Sequence, residues 1–211
     1  MNILFLASSS DFHVDKDALR WASRGGLKLE YALEKFSLPT LSEKICLDLG
    51  ASTGGFTDVL LSYGATFVYA VDVGYGQIAW QLRQNTQQVE VIERTNIRYL
   101  DPKLIVRQID LAVIDVSFIS LTKVLPKAIS LLSSSSQIIA LIKPQFEAGK
   151  ELVSKGGVVW DSSSHLFVIR KVRDTVEKLG WQMVALTHSP LRGPAGNIEF
   201  LAHFTAKQAE G

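Results

Sequence analysis

A single cysteine, Cys46, occurs among 211 residues, so the chain forms no internal disulfide and its stability has to come from a packed core. Cys46 sits in an apolar run, where a thiol is a small core residue, and the absence of any pair suits a reducing cytoplasm. Neither sign of charge dominates. The 22 Lys and Arg against 21 Asp and Glu leave a formal charge of +1, which excludes a global basic field for nucleic acid and leaves room only for a local basic face. No uncharged apolar run approaches the roughly 20 residues that span a bilayer. The opening MNILFLASSS is largely apolar but lacks the positive start and the length of a signal-peptide core, and reads as an edge segment or a boundary of the chain. These absences describe a soluble, cytoplasmic protein with no membrane insertion.

What is present is enough for one full core: 47% of the residues are hydrophobic, and a single domain follows. The pattern predicts a short polar helix over 15–24 and an amphipathic helix over 26–36 that Pro39 ends. Strand-like and helical runs then alternate. Strands are expected over 45–49, 66–73, 89–92, 110–116 and 137–142, with helices over 55–63, 76–83 and 121–132. Continuous β-branched runs indicate strands covered on both faces, hence an α/β fold with a mostly parallel sheet. The stretch 144–160, rich in glycine and charge, reads as a long functional loop, and 133–136 as a short helix-to-strand loop. Asp161 is placed to cap a helix reaching Leu179 that Gly180 stops, and two strands close the pattern over 183–189 and 198–204.

The segment LDLGASTGGF, residues 47–56, has two incompatible readings. Gly50, Ser52 and Gly54 fit a G-x-S-x-G elbow with Ser52 as nucleophile. That elbow lacks an upstream strand to supply its oxyanion loop, and His165, His188 and His203 form no motif that identifies a base. As a cofactor loop the segment gains from Asp72, about 20 residues on at the next strand end, where a carboxylate grips ribose hydroxyls. The G-x-G-x-x-G spacing that serves a pyrophosphate is missing. Gly50 followed by Gly54 and Gly55 suits a cofactor without phosphate, such as S-adenosylmethionine.

Six segments, SRGGLKLE from Ser23, DLGASTGGFTD from Asp48, VDVGYGQ from Val71, DVSFIS from Asp115, IKPQFE from Ile142 and GPAGNIEF from Gly193, together resemble the hemolysin A (TlyA-type) family of FtsJ-like RNA methyltransferases. The resemblance implies a Rossmann-like, seven-stranded methyltransferase sheet with an antiparallel last strand, S-adenosylmethionine as cofactor, and 2′-O-methylation of ribose in ribosomal RNA, free or in a ribosomal subunit. It implies a catalytic tetrad of Lys28, Asp115, Lys143 and Glu199. Lys143 would act as base and Lys28 with Glu199 would orient the hydroxyl, while Asp115 faces the donor's methionine part. Asp48 and Gly50 are expected at the methionine end of the cofactor, Ser52 and Gly54 in its loop, Asp72 at its ribose and Asn96 at its adenine. No metal is called for.

By domain, 1–22 reads as an N-terminal extension without a complete S4-type RNA-binding domain, 23–206 as the methyltransferase domain and 207–211 as a tail. Arg24, Lys35, Lys150, Lys155 and Arg192 are candidate RNA contacts, and Phe146 and Trp160 candidate stacking rings. The loop over 144–160 is expected to cover substrate. The family's hemolysin name raises a membrane-active toxin as the alternative, and loss of activity in a cofactor-binding module as another.

Overall fold

The computed structural model describes residues 4–6, 20–38 and 40–208, and its centre is one sheet. Eight strands are ordered β1-β7-β8-β6-β5-β2-β3-β4. They are β1 (Leu4–Leu6), β2 (Ile45–Leu49), β3 (Phe67–Val71), β4 (Val89–Ile92), β5 (Ile109–Ile114), β6 (Leu132–Ile142), β7 (Trp181–His188) and β8 (Phe200–Ala206). Only β8 runs against its neighbours β6 and β7; the other pairings are parallel. Strands β2 to β8 are the seven expected, and β1 adds an eighth along the outer edge of β7, where the opening residues read as an edge segment.

The helices are α1 (Gly26–Lys35), α2 (Gly55–Ser62), α3 (Trp80–Gln84), α4 (Leu121–Ile129), α5 (Pro144–Glu147) and α6 (Ser162–Lys178). Alternation along each strand sends side chains to two cores. Ile139 and Leu141 of β6 meet Leu29 and Leu33 of α1 and Val59 and Leu60 of α2 on one face. Ile138, Ala140 and Ile142 meet Val124 and Leu125 of α4 and Val168 and Val172 of α6 on the other. Apolar cover on both faces is why these strands read as unbroken hydrophobic runs.

Several elements depart from the pattern read in the sequence. Residues 20–24 are bends and turns rather than helix, because Trp21 folds back over Gly26; a Cβ there would lie 2.6 Å from the Trp21 side chain. The rest of the expected helix over 15–24, and Pro39, lie outside the described residues. Residues 76–79 form a loop and only Trp80–Gln84 is helical, since Glu93 holds the loop open by accepting from the Gly76 amide at 2.7 Å and from Arg83 at 2.6 Å. Helix α4 stops at Ile129, and residues 133–136 belong to β6. There the Ser136 hydroxyl donates to the Ile109 carbonyl at 2.6 Å, next to a register shift in the β5–β6 ladder. The loop over 144–160 contains the single turn α5 and a 3-10 turn over Lys150–Leu152.

Candidate active site

The carboxyl ends of the parallel strands all open on one edge, and the chemistry-bearing residues come immediately after them: Gly50 after β2, Asp72 after β3, Asp115 after β5 and Lys143 after β6. Because β8 is reversed, its beginning lies at that same edge, so Glu199 joins them from the opposite chain direction. Crevices at this edge are where open α/β sheets bind ligands.

The β2–α2 turn is glycine-dependent. Gly50 has φ +95°, and a Cβ on it would lie 2.3 Å from the Asp115 carbonyl oxygen, so no side chain fits between the two strand ends. Ser52 is also left-handed at φ 50° and exposed. Its amide donates to Asp72 Oδ2 at 2.8 Å, and the Gly74 amide donates to Oδ1 at 2.6 Å. Asp72 therefore braces the loop while half-buried beside the cleft. Gly54, at φ +94°, begins α2 against Leu82 and Ile78 rather than lining the cleft.

Asp48 lies deeper. It is fully buried, accepts from the Thr57 hydroxyl at 2.7 Å through Oδ2, and has no donor at Oδ1. Burial pushes its carboxyl up to about 7, against the lowering effect of the Thr57 bond. It supports the loop from below and is absent from the cleft wall.

The cleft has a volume of about 840 Å³, and Gly50, Ser52, Asp72, Asn96 and Asp115 all line it. Asn96 Oδ1 accepts from the Arg98 amide at 3.1 Å, capping a 3-10 turn over Ile97–Tyr99. One end of the cleft carries an exposed aromatic: Phe118 is 91% exposed at φ 62°, with its ring 5.1 Å from that of Phe146. The reading of the sequence passed over Phe118, since exposure of a ring within an apolar stretch leaves no periodic signal.

Two ion pairs complete the site. Lys28 of α1 lies 2.6 Å from Glu199 Oε2, with both side chains buried. Lys143 Nζ lies 2.6 Å from Asp115 Oδ1 and donates to the Ser117 hydroxyl at 2.9 Å. Gly193 packs against Glu199: a Cβ on it would fall 2.6 Å from Glu199 Oε1 and 3.6 Å from Gln145 Nε2. Glu199 Oε1 is buried without a donor, which a hydroxyl-bearing ligand would supply.

The expected RNA contacts are not gathered at the cleft. Arg24, Lys150, Lys155 and Arg192 are exposed outside its wall, and Lys35 lies over the Tyr31 ring at 5.4 Å. Trp160, the last residue of the loop, is 70% exposed, while the basic side chains that line the cleft are Arg98 and Lys123. Of the histidines considered for Ser52, His165 bonds the Val159 carbonyl and His203 bonds Gln137, and none of the described histidines lines the cleft.

The model of the FtsJ-like methyltransferases matches residues 21–206. The chain belongs to the FtsJ-like methyltransferase family. Within it, the chain is 50% identical over 180 residues to the 16S/23S rRNA (cytidine-2′-O)-methyltransferase TlyA of Mycobacterium tuberculosis, covering 85% of this chain and 66% of that one. It is 42% identical over 187 residues to hemolysin A of Brachyspira hyodysenteriae, covering 88% and 77%. A solved protein from Streptococcus thermophilus described as a hemolysin superposes with a TM-score of 0.87 at 46% identity, over 92% of this chain and 70% of that one. The TlyA and hemolysin relatives agree with the resemblance carried by the six motifs. Among the described residues, no helix is long and apolar enough to cross a membrane.

Proposed function

We propose that this chain transfers a methyl group from S-adenosylmethionine to a ribose 2′-hydroxyl of ribosomal RNA. The observation that carries the reading is the pair of lysine–carboxylate contacts, Lys28–Glu199 and Lys143–Asp115, brought from four distant segments to the edge of the sheet where Asp115 lines the cleft. Names of relatives that act on rRNA cytidine support the substrate class.

The cleft suits the donor. A carboxylate offers about four lone-pair directions, and Asp72 uses one on each oxygen for the Ser52 and Gly74 amides, which leaves acceptors for ribose hydroxyls. Gly50 keeps the wall bare beside Asp115, and Asn96 and Ile97 border the far side, where a base would lie. When bound, S-adenosylmethionine supplies an electrophilic methyl group on a sulfonium.

The protein's share is to place the hydroxyl and receive its proton. Lys143 Nζ, as the neutral amine, is the group assigned to take that proton and become the ammonium, oriented by Asp115 and Ser117. Lys28 and the open oxygen of Glu199 hold the hydroxyl in line with the donor, converting a bimolecular encounter into a positioned one. The exposed Phe118 ring offers a face on which the target base can stack.

Replacing Lys143 with Met is expected to lower single-turnover methyl transfer to rRNA by about 10²–10⁴-fold, the usual range for a lost acid–base group. Calorimetric binding of S-adenosylmethionine should persist in that variant. Wild-type turnover by Lys143→Met would discard the assignment.

A further inference from the structure

Two segments face each other across the catalytic edge, residues 115–121 and residues 143–147, and they touch at three successive levels. At the first, Lys143 Nζ meets Asp115 Oδ1 at 2.6 Å and the Ser117 hydroxyl at 2.9 Å. At the second, the Phe118 and Phe146 rings lie 5.1 Å apart. At the third, Glu147 accepts from the Ser120 hydroxyl at 2.5 Å and from the Leu121 amide at 2.6 Å.

Glu147, at the third level, is more deeply buried than Lys143 at the first. Glu147 is 2% exposed, whereas Phe118 is open to solvent. The Leu121 amide it takes is one of the otherwise orphaned donors at the start of α4. Its own backbone carbonyl accepts from Lys171 Nζ of α6 at 2.7 Å, so the residue ties α5 to both helices beneath it. Lys143 is joined to this anchor by one helical turn, in which the Phe146 amide donates to the Lys143 carbonyl at 2.9 Å. Asp115 is joined to the same anchor by the short run through Ser120.

We infer that Glu147 is a positioning residue of the active site: its buried carboxylate fixes the spacing of the two segments and thereby holds Lys143 against Asp115. The role assigned to Lys143 rests on the proposed methyl transfer, but the mechanical tie does not. Burial favours the neutral form of Glu147 and the Ser120 and Leu121 bonds oppose it, so the carboxylate is held in place by the two donors it organises.

The test uses the full chain and the reactivity of two lysines. Lys28 and Lys143 are equally covered, each 9% exposed, and only Lys143 is reached through Glu147. Acylation by acetic anhydride, followed by mass spectrometry, is expected to modify Lys143 about tenfold faster in Glu147→Ala than in the wild type, on the scale of one lost buried hydrogen bond. Lys28 should not change, and Glu147→Gln, which keeps size and an acceptor, should restore most of the protection. Ser120→Ala, which cuts the tie from the other side, should move Lys143 in the same direction if Glu147→Ala folds poorly. A parallel rise at Lys28 would reduce Glu147 to general packing and overturn the inference, as would an unchanged Lys143 in a folded variant. In methyl transfer to rRNA, the tie predicts a fall in kcat with little change in KM. Selective exposure of Lys143 in a protein whose wild type methylates no RNA would leave the tie standing and remove the proposed function instead.

Discussion

Asp48 is a buried carboxyl below the glycine turn that does not line the cleft. With one oxygen bonded to Thr57 and the other without a donor, its carboxyl titrates at about 7 rather than near the ordinary 3.8. Between those values the folded state holds a proton that the unfolded state has released, so stability falls as pH rises through this window and the penalty is complete above about 7. Asp48→Asn removes that titration. Its melting temperature relative to wild type should therefore climb between pH 5 and pH 8, by the equivalent of at most about 2–4 kcal/mol. A difference that stays constant with pH, followed by calorimetry, would show that the carboxyl is not the titrating group. Asp48, expected at the methionine end of the cofactor, lies within β2 and off the cleft wall, a depth that motif spacing does not give.

At the scale of elements, the loop over 144–160 is fastened by Asn197. Its fully buried side chain accepts from the Val159 amide and donates to the Gly157 carbonyl, both at 2.9 Å. Asn197→Ala should free this strap: hydrogen exchange over 154–160 is expected to accelerate by about one to two orders of magnitude, the effect of two lost buried bonds. Amides of β5 and β6 should keep their protection, and uniform acceleration would point to general destabilisation.

The same scale separates what patterning reveals from what it hides. Strands such as FVYAV, residues 67–71, are buried along their whole length and were legible because hydrophobicity alone decides them. Residues 133–136 look like a loop, yet serine hydroxyls bonding one another and the Ile109 carbonyl let a polar run continue the strand. Helix α3 is shorter than its apolar spacing suggests because Glu93, remote in sequence, claims the Gly76 amide. Among candidate site residues, Lys28, Asp115, Lys143 and Glu199 come from the family resemblance, and the fold pairs them as Lys28–Glu199 and Lys143–Asp115. Glu147 lies inside one of the same motifs and went unassigned, since its partners Ser120 and Leu121 are visible only in the fold.

For the whole molecule, a ligand that binds only the folded state raises stability by mass action. S-adenosylmethionine at about 100 times its dissociation constant should add about 2.7 kcal/mol, read as an upward shift of the melting transition. Asp72→Ala is expected to abolish the shift by removing both the acceptor proposed for the ribose and the brace on the Ser52 and Gly74 amides. An undiminished shift in that variant would place the donor elsewhere.

The reversed strand β8 has a consequence in time. It is the latest strand in the sequence yet lies inside the sheet, between β6 and β7, and it brings Glu199 to Lys28 across 171 positions of chain. A chain emerging from synthesis can build the β2–β5 region and its glycine turn first, but it cannot close the Lys28–Glu199 contact until β8 slides between its neighbours. Forming the Lys28–Glu199 contact and finishing the sheet are thus one event, and a half-made chain without β8 lacks that contact.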